Sequence, residues 1–177
     1  KEDAIKKLKT SLDQDDIYTY FREWPYAQVK RCVIAEKFIA SNTPHGDLPD
    51  YKFFCFNGEP LYCQVIRDRN EKETIDFYDM EWNHQEFVGL QTILSNKVRK
   101  IQNGSTPVPR PLHLETMKEI CRKLSNNIPF VRIDMYVVAS KEYFGEMTFF
   151  PASGLGTFTP VEWNKRLGEL IDLSNIK

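Results

Sequence analysis

The residues with the clearest capacity for chemistry lie together in "VRIDMYVVASKEYFGEMTFFP", residues 131–151. This run reads as two strands joined by a short turn, with Val131, Ile133 and Met135 facing one way and Arg132, Asp134 and Tyr136 the other. In the second strand Glu146 and Thr148 share a face. Asp134 and Glu146 stand 12 positions apart across the turn, a spacing that allows cross-strand neighbours. Two carboxylates brought that close repel, and one takes up a proton unless a cation sits between them. A hard divalent cation, Mg²⁺ above all, binds a few such oxygens together with phosphates. Arg132, on the same face, is suited to neutralising phosphate charge or to pairing with one acid. The plain alternative is a solvated strand face with scattered charges.

A second candidate is "IAEKFIA", residues 34–40, where Glu36 and Lys37 interrupt an apolar run. Such charges are commonly solvated edge features. The functional alternative is a hinge whose backbone hydrogen-bonds a purine edge, with Phe38 or Ile39 against the ring. The histidines His45, His84 and His113 sit in polar contexts without ligand spacing and read as surface residues. No P-loop, Rossmann fingerprint or nucleophile elbow is present. Cys32, Cys55, Cys63 and Cys121 form no CxxC pair, and their apolar contexts predict reduced, buried thiols rather than a zinc site.

The elements that must position these residues follow from periodicity and turn signals. Residues 2–12 carry Ile5, Leu8 and Leu12 at helical spacing. Residues 13–28 read as a loop, 31–40 as a β-rich run and 41–49 as a polar linker. "DYKFFCFNGEPLYCQVIRDR", residues 50–69, predicts a hairpin around Asn57-Gly58. Residues 73–82 predict a further strand, and 85–110 are ambiguous, ending in the Pro- and Gly-bearing loop "NGSTPVPRP". Residues 113–127 predict a helix with Leu114, Met117, Cys121 and Leu124 on one stripe. The 131–151 hairpin follows, then "GLGTFTP" and a last helix over 161–172. This order of antiparallel strands with a few helices is an α+β pattern.

The 177 residues suffice for one sizeable core, and the near balance of 24 basic and 25 acidic residues argues against nucleic acid or an anionic membrane surface as partner. No run reaches membrane-spanning length and no signal peptide is visible, so the expected location is cytoplasmic.

Taken in order, "IAEKFI", "LPDYKFFCFNGEP", "RDRN" with "FYDMEW", "ETMKEICRKLSNNIPFVRIDMY" and "YFGEMTFFPASG" resemble the ATP-grasp superfamily. Within it they resemble the TupA-like ATP-grasp family of bacterial surface-polysaccharide and teichuronopeptide biosynthesis. The resemblance implies an α+β ATP-grasp fold, an antiparallel sheet with flanking helices. It makes residues 1–38 the remnant of the small lobe and 39–177 the C-terminal lobe. Such enzymes also carry an N-terminal domain and a phosphate-binding lysine before a Gly-rich loop, so this chain is expected to lack the N-terminal part and catalysis is expected of the full-length protein. That activity would be ATP-dependent carboxylate–amine ligation through an acyl phosphate, with ATP and Mg²⁺ as cofactors and a small-molecule or polymer-linked carboxylate and amine as substrates. The resemblance assigns the adenine hinge to Glu36, Lys37, Phe38 and Ile39, and ribose binding to Asp50, with Asp47 as the fallback. It puts Arg132 on phosphate, Asp134 on Mg²⁺, and the Glu-x-Asn metal motif on Glu146 and Thr148. Threonine in place of asparagine weakens one metal position. The alternative is a non-catalytic nucleotide- or glycan-binding module, or a glycosyltransferase-associated protein of polysaccharide assembly. The oligomeric state is open.

Overall fold

The structure is a computed structural model, and it describes residues 2–14, 20–39, 48–67, 73–92 and 102–174. Asp47 and His45 lie outside the described residues. The chain divides into two compact units, Lys1–Ala40 and Ser41–Lys177. No described helix is long and apolar enough to cross a membrane.

The first unit holds helix α1 (Glu2–Asp13) and a 3₁₀ turn (Trp24–Gln28). The predicted β-rich run is not a strand: residues 31–39 take no regular structure, and Val33, Ile34 and Phe38 are exposed. β-propensity becomes a strand only where a neighbour supplies ladder hydrogen bonds. The described residues of this unit include no strand to pair with. Cys32 is exposed for the same reason, against the expectation of a buried thiol.

The second unit is built on a six-stranded antiparallel sheet. Its strands are β1 (Asp50–Phe56), β2 (Glu59–Arg67), β3 (Thr74–Asp79), β4 (His84–Gln85), β6 (Phe130–Val138) and β7 (Lys141–Thr148). The order is β4-β3-β2-β1-β6-β7. A separate pair joins β5 (Val88–Thr92) to β8 (Gly156–Thr159). Asn57 and Gly58 both take positive φ, 51° and 87°, as the two-residue turn predicted between β1 and β2 requires. Asn57 also pins the C-terminal segment, donating from Nδ2 to Leu170 O at 2.7 Å and accepting from Asp172 N at 3.1 Å.

Alternation along the strands creates two different faces. On one, Tyr51, Phe53, Val65, Tyr78, Val131, Ile133 and Met135 are buried under helix α2 (Leu114–Ser125). Helix α2 buries Leu114, Met117, Cys121 and Ser125, whereas Leu124, predicted to face inward, is at the surface. Ser125 tolerates burial because its hydroxyl donates to Cys121 O at 2.7 Å. On the other face, Phe54, Phe56, Ile66, Ile75, Phe77 and Phe87 form an aromatic-rich cluster with Leu167 of helix α3 (Glu162–Gly168) and Phe158 of β8. Phe87 stacks on Trp163 with centroids 4.1 Å apart, anchoring α3. β1 lies at the centre of the sheet and is buried along its whole length. It therefore reads as an apolar run whose only charged residues are Asp50 and Lys52.

Candidate functional site

β6 pairs with β7 in the register Arg132↔Thr148 and Asp134↔Glu146, and with β1 in the register Phe54↔Arg132 and Lys52↔Asp134. Directly paired residues share a face. Arg132, Asp134, Glu146 and Thr148 thus gather on the aromatic side of the sheet, as the alternation predicted, and Lys52 joins them from β1. A bulge between Asp134 and Met135 leaves Gly145 unpaired on β7. A Cβ at Gly145 would lie 2.9 Å from the Tyr136 ring and 3.1 Å from Asp134 O, so the bulge fits only a residue without one.

Asp134 is the hub. Arg132 donates to it in a side-on fork, Nε to Oδ1 at 2.7 Å and Nη2 to Oδ2 at 2.8 Å. The same Nη2 reaches Glu146 Oε1 at 3.2 Å and Thr148 Oγ1 at 2.9 Å. From the opposite side Lys52 Nζ donates to Asp134 Oδ2 and lies 2.9 Å from Asp50 Oδ2. The Lys52 and Asp134 side chains retain only 8% and 1% of their accessible surface, whereas Glu146 keeps 63%. Buried charges persist when paired and hydrogen-bonded. Here two carboxylates, Asp50 and Asp134, face two cations, Lys52 and Arg132, and Glu146 adds an acid at the solvent edge. The acids of this face also act through the sheet: burial pushes the Cys63 thiol well above its usual range, and the negative charges of Asp50 and Asp134 push it further.

Asp134, Glu146 and Thr148 are oxygen donors of the kind Mg²⁺ takes, and their donor set fits that ion. In this arrangement both Asp134 oxygens are engaged by Arg132 and Lys52. Among the described residues no group of three or more His, Cys, Asp or Glu side chains is placed to hold a metal. Asp50, expected at the ribose, is brought into the same cluster through Lys52. Glu36, Lys37, Phe38 and Ile39 belong to the first unit. Their side chains are exposed, apart from a half-buried Ile39.

Lys52 is the residue that sequence reasoning missed. The available signal was a lysine at the central position of "DYKFF", in a strand otherwise apolar after Asp50. A lysine buried on both sides requires a carboxylate partner.

A second buried acid, Asp76, is also unforeseen. It pairs in register with Val65, which places it on the α2 side of the sheet, away from Arg132. Its carboxylate accepts from Arg67 Nη2 at 2.9 Å and Gly104 N at 3.1 Å, and meets His84 Nε2 at 3.0 Å. Arg67 Nη2 donates in turn to Thr106 O at 2.8 Å. This cluster clamps the 102–108 segment onto the sheet edge, so His84, at the surface as expected, has a structural partner. A Cβ at Gly104 would lie 2.2 Å from the Arg67 guanidinium, which accounts for the glycine in "NGSTP".

No curated protein and no solved structure matches this chain. The family description TupA-like ATPgrasp matches residues 1–172, nearly the whole length. With an α+β fold built on a mostly antiparallel sheet and the Arg-x-Asp and Glu-x-Thr residues meeting across one hairpin, the chain belongs to the TupA-like ATPgrasp family.

Proposed function

We propose that this protein contributes the C-terminal lobe of an ATP-dependent carboxylate–amine ligase acting in cell-surface polymer biosynthesis. The observation that carries this reading is the single guanidinium of Arg132 bonded at once to Asp134, Glu146 and Thr148, with Lys52 on the far side of Asp134. Phosphoryl transfer asks little covalent chemistry of a protein and much charge neutralisation. A cluster of cations held by carboxylates supplies that without reorganisation. In the reaction the substrate carboxylate oxygen takes the γ-phosphoryl group of ATP and ADP leaves. The amine nitrogen then attacks the acyl carbon, phosphate departs, and the amine loses a proton as the amide forms. Arg132 stabilises charge on the transferring phosphoryl group. Asp134, Glu146 and Thr148 would hold Mg²⁺, which when bound would neutralise charge between the phosphates. Asp50 serves the ribose, and Glu36, Lys37, Phe38 and Ile39 serve the adenine. Lys52 orients Asp134 and balances its charge.

The test is Mg²⁺-dependent ADP release in the full-length protein, with hydroxylamine trapping of the activated acid. Asp134→Asn is expected to lower turnover by about 10²–10³, the range for loss of one stabiliser of developing charge. Wild-type turnover in that variant would overturn the assignment.

A further inference from the structure

A pocket of about 410 Å³ opens on the same sheet face as the charged cluster. Its walls include Phe54, Phe130, Phe149, Phe158 and Leu167, and Gly168 forms part of its α3 side. Phe54 sits directly opposite Arg132 in the β1–β6 register, and Phe130 precedes Arg132 by two residues on the same face of β6. The aromatic pocket and the phosphate-type cluster therefore share a border.

The chemistry of the lining restricts the occupant. Asn164 is the polar side chain among the lining residues, and both ends of its amide are taken by backbone. Its Oδ1 accepts from Phe158 N at 2.9 Å, and its Nδ2 donates to Val161 O at 2.8 Å and Phe158 O at 3.4 Å. A sugar or a purine placed there would strand several hydrogen-bonding groups against phenyl rings, which disfavours both. At the polar border the supply is different. Arg132 makes all its bonds to Asp134, Glu146 and Thr148 through Nε and Nη2, and its Nη1 donates to no group among the described residues. Gly154 also lines the pocket, as the last of three successive left-handed residues, Ala152, Ser153 and Gly154, with φ of 50°, 54° and 70°. Such backbone is unfavourable for L-residues and tends to be kept at ligand-facing turns.

We propose that this pocket takes the apolar body of the acid substrate, an aliphatic or aromatic carboxylic acid whose carboxylate lies at Arg132 Nη1. The assignment deepens the ligase reading and rests on it for the word substrate; the binding itself is tested apart. The probes are decanoate and 3-phenylpropionate, with glucuronate as a polar acid and phenethylamine as an apolar cation, each titrated calorimetrically beside Mg·ATP. The two apolar acids are expected to bind at least about tenfold more tightly than either control. Gly168→Leu supplies the matching variant, because Gly168 lines the pocket and a Cβ there meets no atom within 4 Å, so a larger side chain is accommodated at that wall without a clash. It is expected to weaken both apolar acids by about tenfold or more and to leave Mg·ATP unchanged. Equal binding of glucuronate or phenethylamine to the wild type would overturn the proposal, with no variant needed. So would undiminished acid binding in a folded Gly168→Leu protein, or a loss of Mg·ATP in its place, which would mark the pocket as the site of the base. Selective binding of apolar acids by a full-length protein that never binds Mg·ATP would uphold the pocket while sinking the ligase reading.

Discussion

Lys52 offers the sharpest perturbation of the charged cluster. Lys52→Met keeps the length of the side chain and removes its charge, taking from the buried carboxylates Asp50 and Asp134 the cation that lies between them, while Arg132 stays on Asp134. Removing one partner from a buried ion network costs about 3–5 kcal/mol, because the remaining charges stay desolvated. At about 2–4 °C per kcal/mol for a chain of this size, the melting temperature falls by roughly 6–20 °C. Asp50→Asn added to Lys52→Met restores the balance of charge and is expected to recover much of the loss, a coupling that a double-mutant cycle measures directly. Glu146→Gln is the internal control. Glu146 is largely exposed and touches Arg132 at 3.2 Å, so its loss should cost no more than about 1 kcal/mol. Urea denaturation followed by circular dichroism reads all five proteins, the Asp50→Asn single variant of the cycle included, provided the slope with denaturant stays constant. A Lys52→Met protein within about 1 kcal/mol of wild type would refute the claim that Lys52 holds the two acids in place.

Three further outcomes follow from named contacts and burial. Gly145→Ala should destabilise by about 1–3 kcal/mol through overpacking against Tyr136 and the Asp134 backbone, measured by the urea midpoint, with any ADP release lowered as Glu146 shifts. Stability should also decline at alkaline pH. Burial raises the pKa values of Cys63 and Tyr51 above their unfolded values, Tyr51 from 10.0 to about 12, and a Cys55 hydrogen bond, then burial, raises that of Cys121. Groups raised in the folded state contribute fully below the unfolded value and lose that contribution above it, so urea midpoints should fall as pH rises past about 9 and more steeply past about 10. The same burial predicts that a thiol reagent labels Cys32 at once and reaches Cys55, Cys63 and Cys121 only on unfolding.

The parts of the fold legible in the sequence are those whose signal is local. Asn57-Gly58 announces a two-residue turn by chemistry alone, and the stripe of Leu114, Met117 and Cys121 announces a helix with one buried side. Residues 31–39 mislead because a β-branched run looks the same whether or not a partner strand exists, and pairing is a tertiary fact. The strand at 88–92 was invisible for the complementary reason. "VGLQT" is short and has no clean alternation, and it becomes a strand by pairing with "GTFT" more than 60 residues away. Ser125 displaced Leu124 from the core because a hydroxyl can bond its own helix backbone, which no count of apolar residues registers.

The candidate site divides along the same line. Arg132, Asp134, Glu146 and Thr148 belong to one hairpin, so alternation and turn length suffice to bring them together. Lys52 and Asp50 come from a strand 82 positions earlier than Asp134 in the case of Lys52, and only the placement of β6 beside β1 gives them a shared face. That placement has a physical consequence for the chemistry. With Lys52 and Arg132 flanking it, Asp134 is fixed from both sides, three of its roughly four acceptor positions being used by those two cations. Glu146 is held more loosely, by one nitrogen of Arg132 and at the edge of solvent. Burial therefore divides the two acids: Asp134 is the fixed point of the cluster, and Glu146 is the acid whose solvent exposure lets it change partners at least cost.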